Sequence, residues 1–152
     1  MADGSLGVTA AGPAVAELTR RVKFAAAHRY HRPEWDERRN AEVFGACARP
    51  HFHGHNYLCA VTVRGEIDPV TGFVVNLDRL DAILEREIMD RFDHKNINLE
   101  VPEFGDGRLV PTGENLARFI LTRVQAALGT DVIVSEVTVQ EDELLSATVR
   151  VT

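Results

Sequence analysis

Cysteine is scarce in this sequence, with only Cys47 and Cys59 among its 152 residues. Two cysteines do not make a disulfide framework, and they favour a reducing compartment. Basic residues are absent before Arg20, and no apolar run reaches the length that a membrane-spanning helix needs. The pattern predicts neither a signal peptide nor a transmembrane segment, so we expect a cytoplasmic protein.

Basic residues are outnumbered by acidic ones: the chain has 17 Lys and Arg and 23 Asp and Glu, which gives a formal net charge of −6 at pH 7. This excess of acidic residues argues against general binding to nucleic acid or to anionic membranes, although it is compatible with a local basic pocket. The chain length corresponds to one domain. We expect a disordered tail rich in Ala and Gly over residues 1–17 and a single folded domain over residues 18–152.

Histidine, in contrast, is concentrated at one place. Three of the six histidines, His51, His53 and His55, fall within residues 47–57. The following residues alternate in polarity as on a β-strand with one buried face. His53 and His55 are therefore expected on the same side, roughly 6.5 Å apart along the strand. Two imidazoles at this spacing can share one metal ion, whereas His51 follows Pro50 and is expected in the loop.

A zinc site needs a third protein ligand. An upstream segment also alternates, and His28 lies on its apolar side. Taken alone, His28 is better interpreted as a core histidine satisfied by hydrogen bonds. Together with the His53–His55 pair it completes three histidines on two strands, which leave a fourth coordination position open, as in catalytic zinc sites.

Periodicity elsewhere predicts an α+β fold in the order β-β-α-α-β-β. One amphipathic helix begins near Asn76 or Asp78, and a second has Thr112 as its N-cap and ends at Gly129. Both helices are expected on one face of a four-stranded antiparallel sheet, whose open edges favour oligomerisation. The predicted strands cover residues 18–32, 53–67, 132–140 and 144–151, and a short additional strand is expected at 73–75.

Three further groups are candidates for chemistry. Cys47 lies in a loop of small residues, where a thiol next to a metal ion or histidinium becomes a usable base or nucleophile; the alternative, a buried small hydrophobe, suits Cys59. Asp93 could hold the adjacent His94 in one tautomer, although a polar loop at a helix end is the simpler interpretation. A lone carboxylate in a hairpin turn, such as Glu141, is ordinarily solvated.

From Arg20 to the C terminus the sequence resembles the 6-pyruvoyl tetrahydropterin synthase family. The resemblance rests on seven short motifs, and two of them contain the family's zinc-binding histidines. The motifs are FAAAHR at 24–29, VFGAC at 43–47, HGHNY at 53–57, GEIDPVTG at 65–72, LDRL at 77–80, FDHKN at 92–96 and PTGEN at 111–115.

The resemblance implies a role for each candidate. Cys47 matches the catalytic base, and Asp93 and His94 match its relay partners. The implied zinc ligands are His28, His53 and His55.

The resemblance also implies a pterin-binding set. Glu141 matches the glutamate that anchors the pterin ring, and Thr112 and Glu114 fall in a substrate-binding motif. Two positions depart from the family pattern: Gly113 replaces a hydroxyl residue, and Asp142 replaces the usual Thr.

The implied reaction converts 7,8-dihydroneopterin triphosphate to 6-pyruvoyl tetrahydropterin with loss of triphosphate. No external redox cofactor is needed, because the ring is reduced as the side chain is oxidised. The implied assembly is a homohexamer of two stacked trimers, a barrel-forming tunnelling fold with active sites shared between subunits. Several basic residues should contact the triphosphate, and the candidates are Arg20, Arg21, Lys23, Arg29 and Arg49.

Two alternatives stay open. A 6-carboxytetrahydropterin synthase of queuosine biosynthesis acts on the same substrate and releases a two-carbon fragment, although the spacing from Cys47 to the histidines favours the pyruvoyl enzymes. A non-catalytic zinc-binding or pterin-binding module is the more distant alternative. An intact Cys47 together with Asp93 and His94 counts against it, because binding alone needs none of these residues.

Overall fold

Two long strands, β1 (Val15–His28) and β2 (His53–Glu66), form the centre of the fold in this computed structural model, which describes residues 12–152. They pair antiparallel over 14 residue pairs. The sheet has five strands in the order β3-β1-β2-β4-β5, with short edge strands. The other three strands are β3 (Lys95–Asn96), β4 (Ile133–Gln140) and β5 (Ser146–Arg150).

The helices begin where their capping residues predict. Asn76 accepts a hydrogen bond from the backbone of Arg79 and caps α2, and Thr112 caps α5 in the same way. A π-helical turn, Glu85–Met89, continues α2 towards a short α3. The helices are α1 (Glu37–Phe44), α2 (Leu77–Leu84), α3 (Asp90–Phe92), α4 (Ile97–Glu100) and α5 (Gly113–Leu128), and 3₁₀ turns lie at Gly45–Ala48 and Pro102–Phe104.

The core lies between one face of the sheet and the helices. Alternate residues of β2, from Tyr57 to Val63, are buried against apolar side chains of α2 and α5. Cys59 belongs to this set and is completely buried, as expected for a small hydrophobe. The other face of the sheet is more polar, and there the Thr19 and Thr62 hydroxyls lie 2.8 Å apart. Because strand residues alternate, this division fixes which side chains of β1 and β2 face the helices.

The predicted four-stranded antiparallel sheet was wrong in one respect. A fifth strand, β3, pairs parallel with β1, placing Ala26 opposite Lys95 and Ala27 opposite Asn96. Two residues are too few to produce a pattern of alternation, so sequence periodicity had no means of detecting β3. The short strand expected at 73–75 is not formed.

The N-terminal boundary also differs from the prediction. β1 begins at Val15 rather than near Leu18, so residues 15–17 belong to the folded domain and not to the predicted tail. Residues 1–11 of that tail lie outside the described residues. None of the helices within residues 12–152 combines the length and apolar character needed to cross a bilayer.

Candidate active site

The three predicted histidines meet where β1 ends and β2 begins. His28 and His53 are directly opposed in the β1–β2 pairing, and His55 follows one same-side step along β2. One ligand nitrogen from each ring lies within 4.8 Å of the others, so a single metal ion could contact all three. His51 is exposed and outside the cluster, as predicted.

The hydrogen bonds of His28 leave one nitrogen free for a metal ion. Its Nδ1 lies 2.8 Å from the carbonyl of Pro111, which can only accept, so Nδ1 carries the proton. The Nε2 atoms of His28 and His55 are buried and have no hydrogen-bond partner among the described residues. Buried polar atoms are rarely left unpaired, so this pair of nitrogens fits a metal-binding role.

The electrostatics of the cluster favour neutral imidazoles. Burial lowers the pKa of His28 to about 4, and the neighbouring His53 and His55 contribute in the same direction. Burial and His55 also lower the pKa of His53. Metal binding requires unprotonated imidazole, so at neutral pH neither ring has to lose a proton first.

Cys47 lies in the 3₁₀ turn Gly45–Ala48, beside this cluster's first strand. Its carbonyl accepts a hydrogen bond from the Tyr30 backbone at 2.8 Å, and its thiol is partly buried. Burial raises the pKa of the Cys47 thiol, and the carboxylate of Glu141 raises it further. The described residues therefore do not produce the thiolate that the sequence suggested, and a positive charge must be added to do so.

Glu141 contradicts the simple expectation for a turn residue. It is 5% exposed, and its Oε1 accepts a hydrogen bond from the Tyr30 hydroxyl at 3.0 Å. Its Oε2 lies 3.8 Å from Nε2 of His55, so the carboxylate adjoins the histidine cluster. Burial raises the pKa of Glu141. The turn itself is held by Asp142, whose Oδ1 accepts from the backbones of Leu144 and Leu145 at 2.7 and 3.0 Å.

A cavity of about 230 Å³ opens in front of Glu141. Thr112, Gly113 and Glu114, at the start of α5, line one side of it, so the predicted substrate-binding residues are brought together. The hydroxyl of Thr112 also accepts from the backbone of Asn115 as the helix cap. This arrangement places a buried carboxylate at a cavity next to a candidate metal site.

Asp93 and His94 form a hydrogen-bonded pair at a helix end, where the sequence had favoured a simple polar loop. His94 Nδ1 lies 2.9 Å from Asp93 Oδ2, while Asp93 Oδ1 accepts from the backbone of Ala25 at 2.9 Å. His94 has a positive φ of 58°, which is uncommon for a residue other than glycine, and its side chain is 84% exposed. Among the described residues, no hydrogen bond or ion pair connects this pair to Cys47.

The surroundings of the pair explain this separation. Asp93 and His94 follow α3 and lie beside β3, and His94 lines a cavity with Ala25, Ala27, Gly54 and His55. Ala25, Ala27 and Gly54 alternate with the zinc-candidate histidines along β1 and β2, so their side of the sheet is the one opposite the histidine cluster. Within one subunit, the Asp93–His94 pair is therefore on the side of the sheet away from the core, where the His94 side chain is exposed to solvent.

The basic residues predicted near the substrate separate into two groups. Arg20 is engaged by Asp81 through two hydrogen bonds of 2.8 Å, and Arg21 lines a cavity on the polar face of the sheet. Lys23 alternates with inward-facing residues of β1 and also belongs to that polar face. Arg29 and Arg49, in contrast, line a cavity of about 410 Å³ beside the turn that carries Cys47, and neither forms an ion pair within residues 12–152.

Tyr30 is the residue that sequence reasoning did not select. Its hydroxyl contacts Glu141, and it lines the same cavity. The available signal was its parity with His28 on the alternating segment, which places both on the inward side. That signal indicates a face of the chain but not a partner 111 positions away.

Comparison with known proteins identifies the family. The 6-pyruvoyl tetrahydropterin synthase profile matches residues 17–151. A 6-pyruvoyl tetrahydrobiopterin synthase of Poecilia reticulata is 48% identical over 111 residues, which cover 73% of this chain and 74% of that protein. The chain belongs to the 6-pyruvoyl tetrahydropterin synthase family.

Two further proteins are similar to this chain, one in structure and one in sequence. The structure of Caenorhabditis elegans 6-pyruvoyl tetrahydropterin synthase superposes with a TM-score of 0.85 at 30% identity, covering 91% of this chain and 97% of that chain. A 6-carboxy-5,6,7,8-tetrahydropterin synthase of Bacillus subtilis is 33% identical over 115 residues, or 75% of this chain and 68% of that protein. The predicted family is confirmed, and this chain is an enzyme of it.

Proposed function

We propose that this enzyme converts 7,8-dihydroneopterin triphosphate to 6-pyruvoyl tetrahydropterin and releases triphosphate. The supporting observation is the distance of 3.8 Å between Glu141 Oε2 and His55 Nε2, which joins a buried carboxylate to a three-histidine cluster. One ligand could therefore contact both: a ring edge at the carboxylate and an oxygen-bearing side chain at the metal.

Zinc is the metal in this proposal, and its ligands are His28, His53 and His55. The fit comes from two unpartnered Nε2 atoms and from the lowered pKa of His28 and of His53. When bound, zinc supplies Lewis-acid polarisation of the substrate's side-chain hydroxyl oxygens, which acidifies the adjacent C–H bonds. The proposal is tested by the metal content of the purified protein and its loss in a His53→Ala variant.

Cys47 removes a proton from the substrate side chain. Burial raises the pKa of its thiol, so the base requires positive charge nearby, which the metal would supply. Asp93 and His94, whose side chains are 2.9 Å apart, are the relay partners that tune the charge state of the thiol. Because this pair points outward within one subunit, we propose that it serves the Cys47 of a neighbouring subunit.

The Glu141 carboxylate accepts hydrogen bonds from the N–H edge of the pterin ring. A carboxylate has two acceptor oxygens, which match two adjacent ring donors. Thr112 and Glu114 border the ring in the same cavity. The triphosphate is assigned to Arg29 and Arg49, because both residues line one cavity and neither forms an ion pair among the described residues.

The proposed assembly is a homohexamer of two stacked trimers. Its support in this chain is the pair of sheet edges: β5 has one neighbouring strand, and β3 covers only two residues of β1. Open edges of this kind are commonly closed by pairing with another subunit. Such pairing would also bring an outward-facing Asp93–His94 pair towards another chain.

Product analysis tests the reaction directly. Purified protein incubated with 7,8-dihydroneopterin triphosphate should yield 6-pyruvoyl tetrahydropterin and free triphosphate. A 6-carboxy product with a two-carbon fragment would instead establish the second candidate, which the similarity to the Bacillus subtilis enzyme supports. Unchanged substrate would exclude both reactions.

A further inference from the structure

Tyr30 contacts three of the residues to which a role is proposed. Its hydroxyl donates to Glu141 Oε1 at 3.0 Å, and its ring packs edge-on against His28 with centroids 5.2 Å apart. Its backbone N–H donates to the carbonyl of Cys47 at 2.8 Å. A single residue just beyond β1 thus connects the base, one metal ligand and the ring-binding carboxylate.

We propose that Tyr30 is a positioning residue that orients the Glu141 carboxylate for two hydrogen bonds from the pterin ring. The inference rests on the proposed function and deepens it. Among residues 12–152, the Tyr30 hydroxyl supplies the one hydrogen bond that the Glu141 side chain receives. The last torsion of a glutamate is otherwise soft, so a carboxylate without this bond would sample many planes.

The hydrogen bond leaves the carboxylate able to bind a ligand. Each carboxylate oxygen accepts at more than one lone pair, so Oε1 can hold Tyr30 and still receive a ring N–H. The other close polar neighbour, His55 Nε2, lies 3.8 Å away, beyond hydrogen-bonding distance, and belongs to the metal cluster. Tyr30 is therefore the group whose geometry sets the plane of the carboxylate.

The helix opposite, α5, supplies no hydrogen bond to the Glu141 side chain among the described residues. Gly113 lies where a β-carbon would be 3.9 Å from Glu141 Oε1 and 3.1 Å from the β-carbon of Ala147. Without a side chain at this position, α5 does not hold the carboxylate. The Tyr30 ring, in contrast, is fixed by His28 and by Phe44, whose ring centroid is 5.8 Å away.

Tyr30→Phe tests the proposal because it removes only the hydroxyl. We expect neopterin affinity, measured by fluorescence titration, to fall roughly ten-fold, the effect of losing one hydrogen bond to a charged group. KM for 7,8-dihydroneopterin triphosphate should rise by a similar factor, while kcat stays within about two-fold because the base is untouched. Metal content and the thermal unfolding midpoint establish that the variant is folded and loaded.

A double-mutant cycle separates positioning from general destabilisation. If Tyr30 acts through Glu141, then Tyr30→Phe in a Glu141→Gln background should cost little further neopterin affinity. The control is Tyr57→Phe, which removes the chain's other tyrosine hydroxyl, 3.1 Å from His28 Nδ1 and without a hydrogen bond to Glu141 among the described residues. Its effect on neopterin affinity should be the same in both backgrounds.

The outcomes distinguish this inference from the function on which it rests. Suppose first that Glu141→Gln weakens neopterin binding, as the proposed function requires. If Tyr30→Phe then keeps wild-type affinity, or if its effect is fully additive with that of Glu141→Gln, the positioning role of Tyr30 is overturned and the proposed function is not. A wild-type protein that neither binds neopterin nor consumes 7,8-dihydroneopterin triphosphate overturns both. A ten-fold loss that disappears in the Glu141→Gln background establishes the positioning role.

Discussion

At the scale of single residues, two polar groups of the site, His28 and Glu141, are buried, and each has a hydrogen-bond partner. His28 donates to Pro111, and Glu141 accepts from Tyr30. Burying a polar group without a partner is costly, so the atoms left unpaired are informative. Nε2 of His28 and Nε2 of His55 are such atoms, and both residues belong to the cluster that could hold a metal ion.

Cys47→Ala should separate chemistry from binding. Turnover should fall by roughly 10² or more, the usual cost of losing a positioned base, while metal content and neopterin affinity remain close to wild type. Steady-state kinetics and a neopterin titration measure the two effects. Cys59→Ala is the matched control: it leaves a small void in the core and should lower stability without changing kcat. Near-normal turnover in Cys47→Ala would mean that another group is the base.

Glu141→Gln should weaken pterin binding by about 2–4 kcal/mol, because an amide NH₂ would face a ring donor and leave both unpaired. Metal content should not change. Glu143→Gln is the control, since Glu143 is exposed in the same turn. Neopterin titrations of the two variants measure the difference. Equal affinities would show that Glu141 does not bind the pterin ring.

At the scale of elements, the cavity depends on how closely the start of α5 approaches β5. Gly113 begins the helix and faces Ala147 of β5, and a β-carbon at residue 113 would meet that of Ala147 at 3.1 Å. This distance is shorter than normal van der Waals contact, so the two elements pack this closely only while one of the positions lacks a side chain.

Gly113→Ala should therefore force α5 away from β5. We expect a loss of about 1 kcal/mol in the free energy of unfolding, the low end of overpacking costs, because the gain in helix propensity offsets part of the strain. Neopterin affinity should fall as well. In an Ala147→Gly background the same substitution should no longer destabilise the protein. Urea unfolding of the four proteins measures this coupling, and full additivity would refute it.

At the scale of the whole molecule, the separation of Asp93–His94 from Cys47 predicts that a complete site needs two subunits. Coexpression of Cys47→Ala with His94→Ala should restore activity, because some interfaces combine an intact Cys47 with an intact His94. Random pairing makes about a quarter of the sites complete. The control is coexpression of Cys47→Ala with the double variant Cys47→Ala/His94→Ala. This mixture should remain inactive, because neither chain has an intact Cys47. No recovery in the first mixture would place the whole site within one chain.

The histidine cluster should also make the stability of the metal-free protein depend on pH. Burial lowers the pKa of His28 to about 4 in the folded state, from 6.5 when unfolded. The unfolded chain therefore binds a proton first, so stability is intact above pH 6.5 and declines as the pH falls towards 4. The full difference corresponds to about 3 kcal/mol.

Urea unfolding of the metal-free protein at pH 7 and at pH 4.5 measures this loss. His28→Gln should be less stable at pH 7 but should show a smaller decrease between the two pH values, because the variant lacks the titrating ring. The comparison isolates His28 from the carboxylates that also titrate in this range. An identical pH dependence in both proteins would show that His28 is not protonated on unfolding.

The sequence by itself determined the features that depend on local periodicity. Alternation on β1 and β2 put His28, His53 and His55 on one face, because strand side chains repeat every second residue. Asn76 and Thr112 predicted the helix starts, since a cap bonds to residues only a few positions away. The family motifs predicted membership, which the comparisons confirm.

Only the tertiary structure decided which distant groups meet. Glu141 is an ordinary turn residue in sequence, and its burial follows from folding the β4–β5 turn against Tyr30, 111 positions away. The parallel β3 strand and the outward direction of Asp93–His94 likewise depend on where α3 ends against β1. Periodicity describes neighbours along the chain, whereas these contacts are selected by packing between elements that share no local pattern.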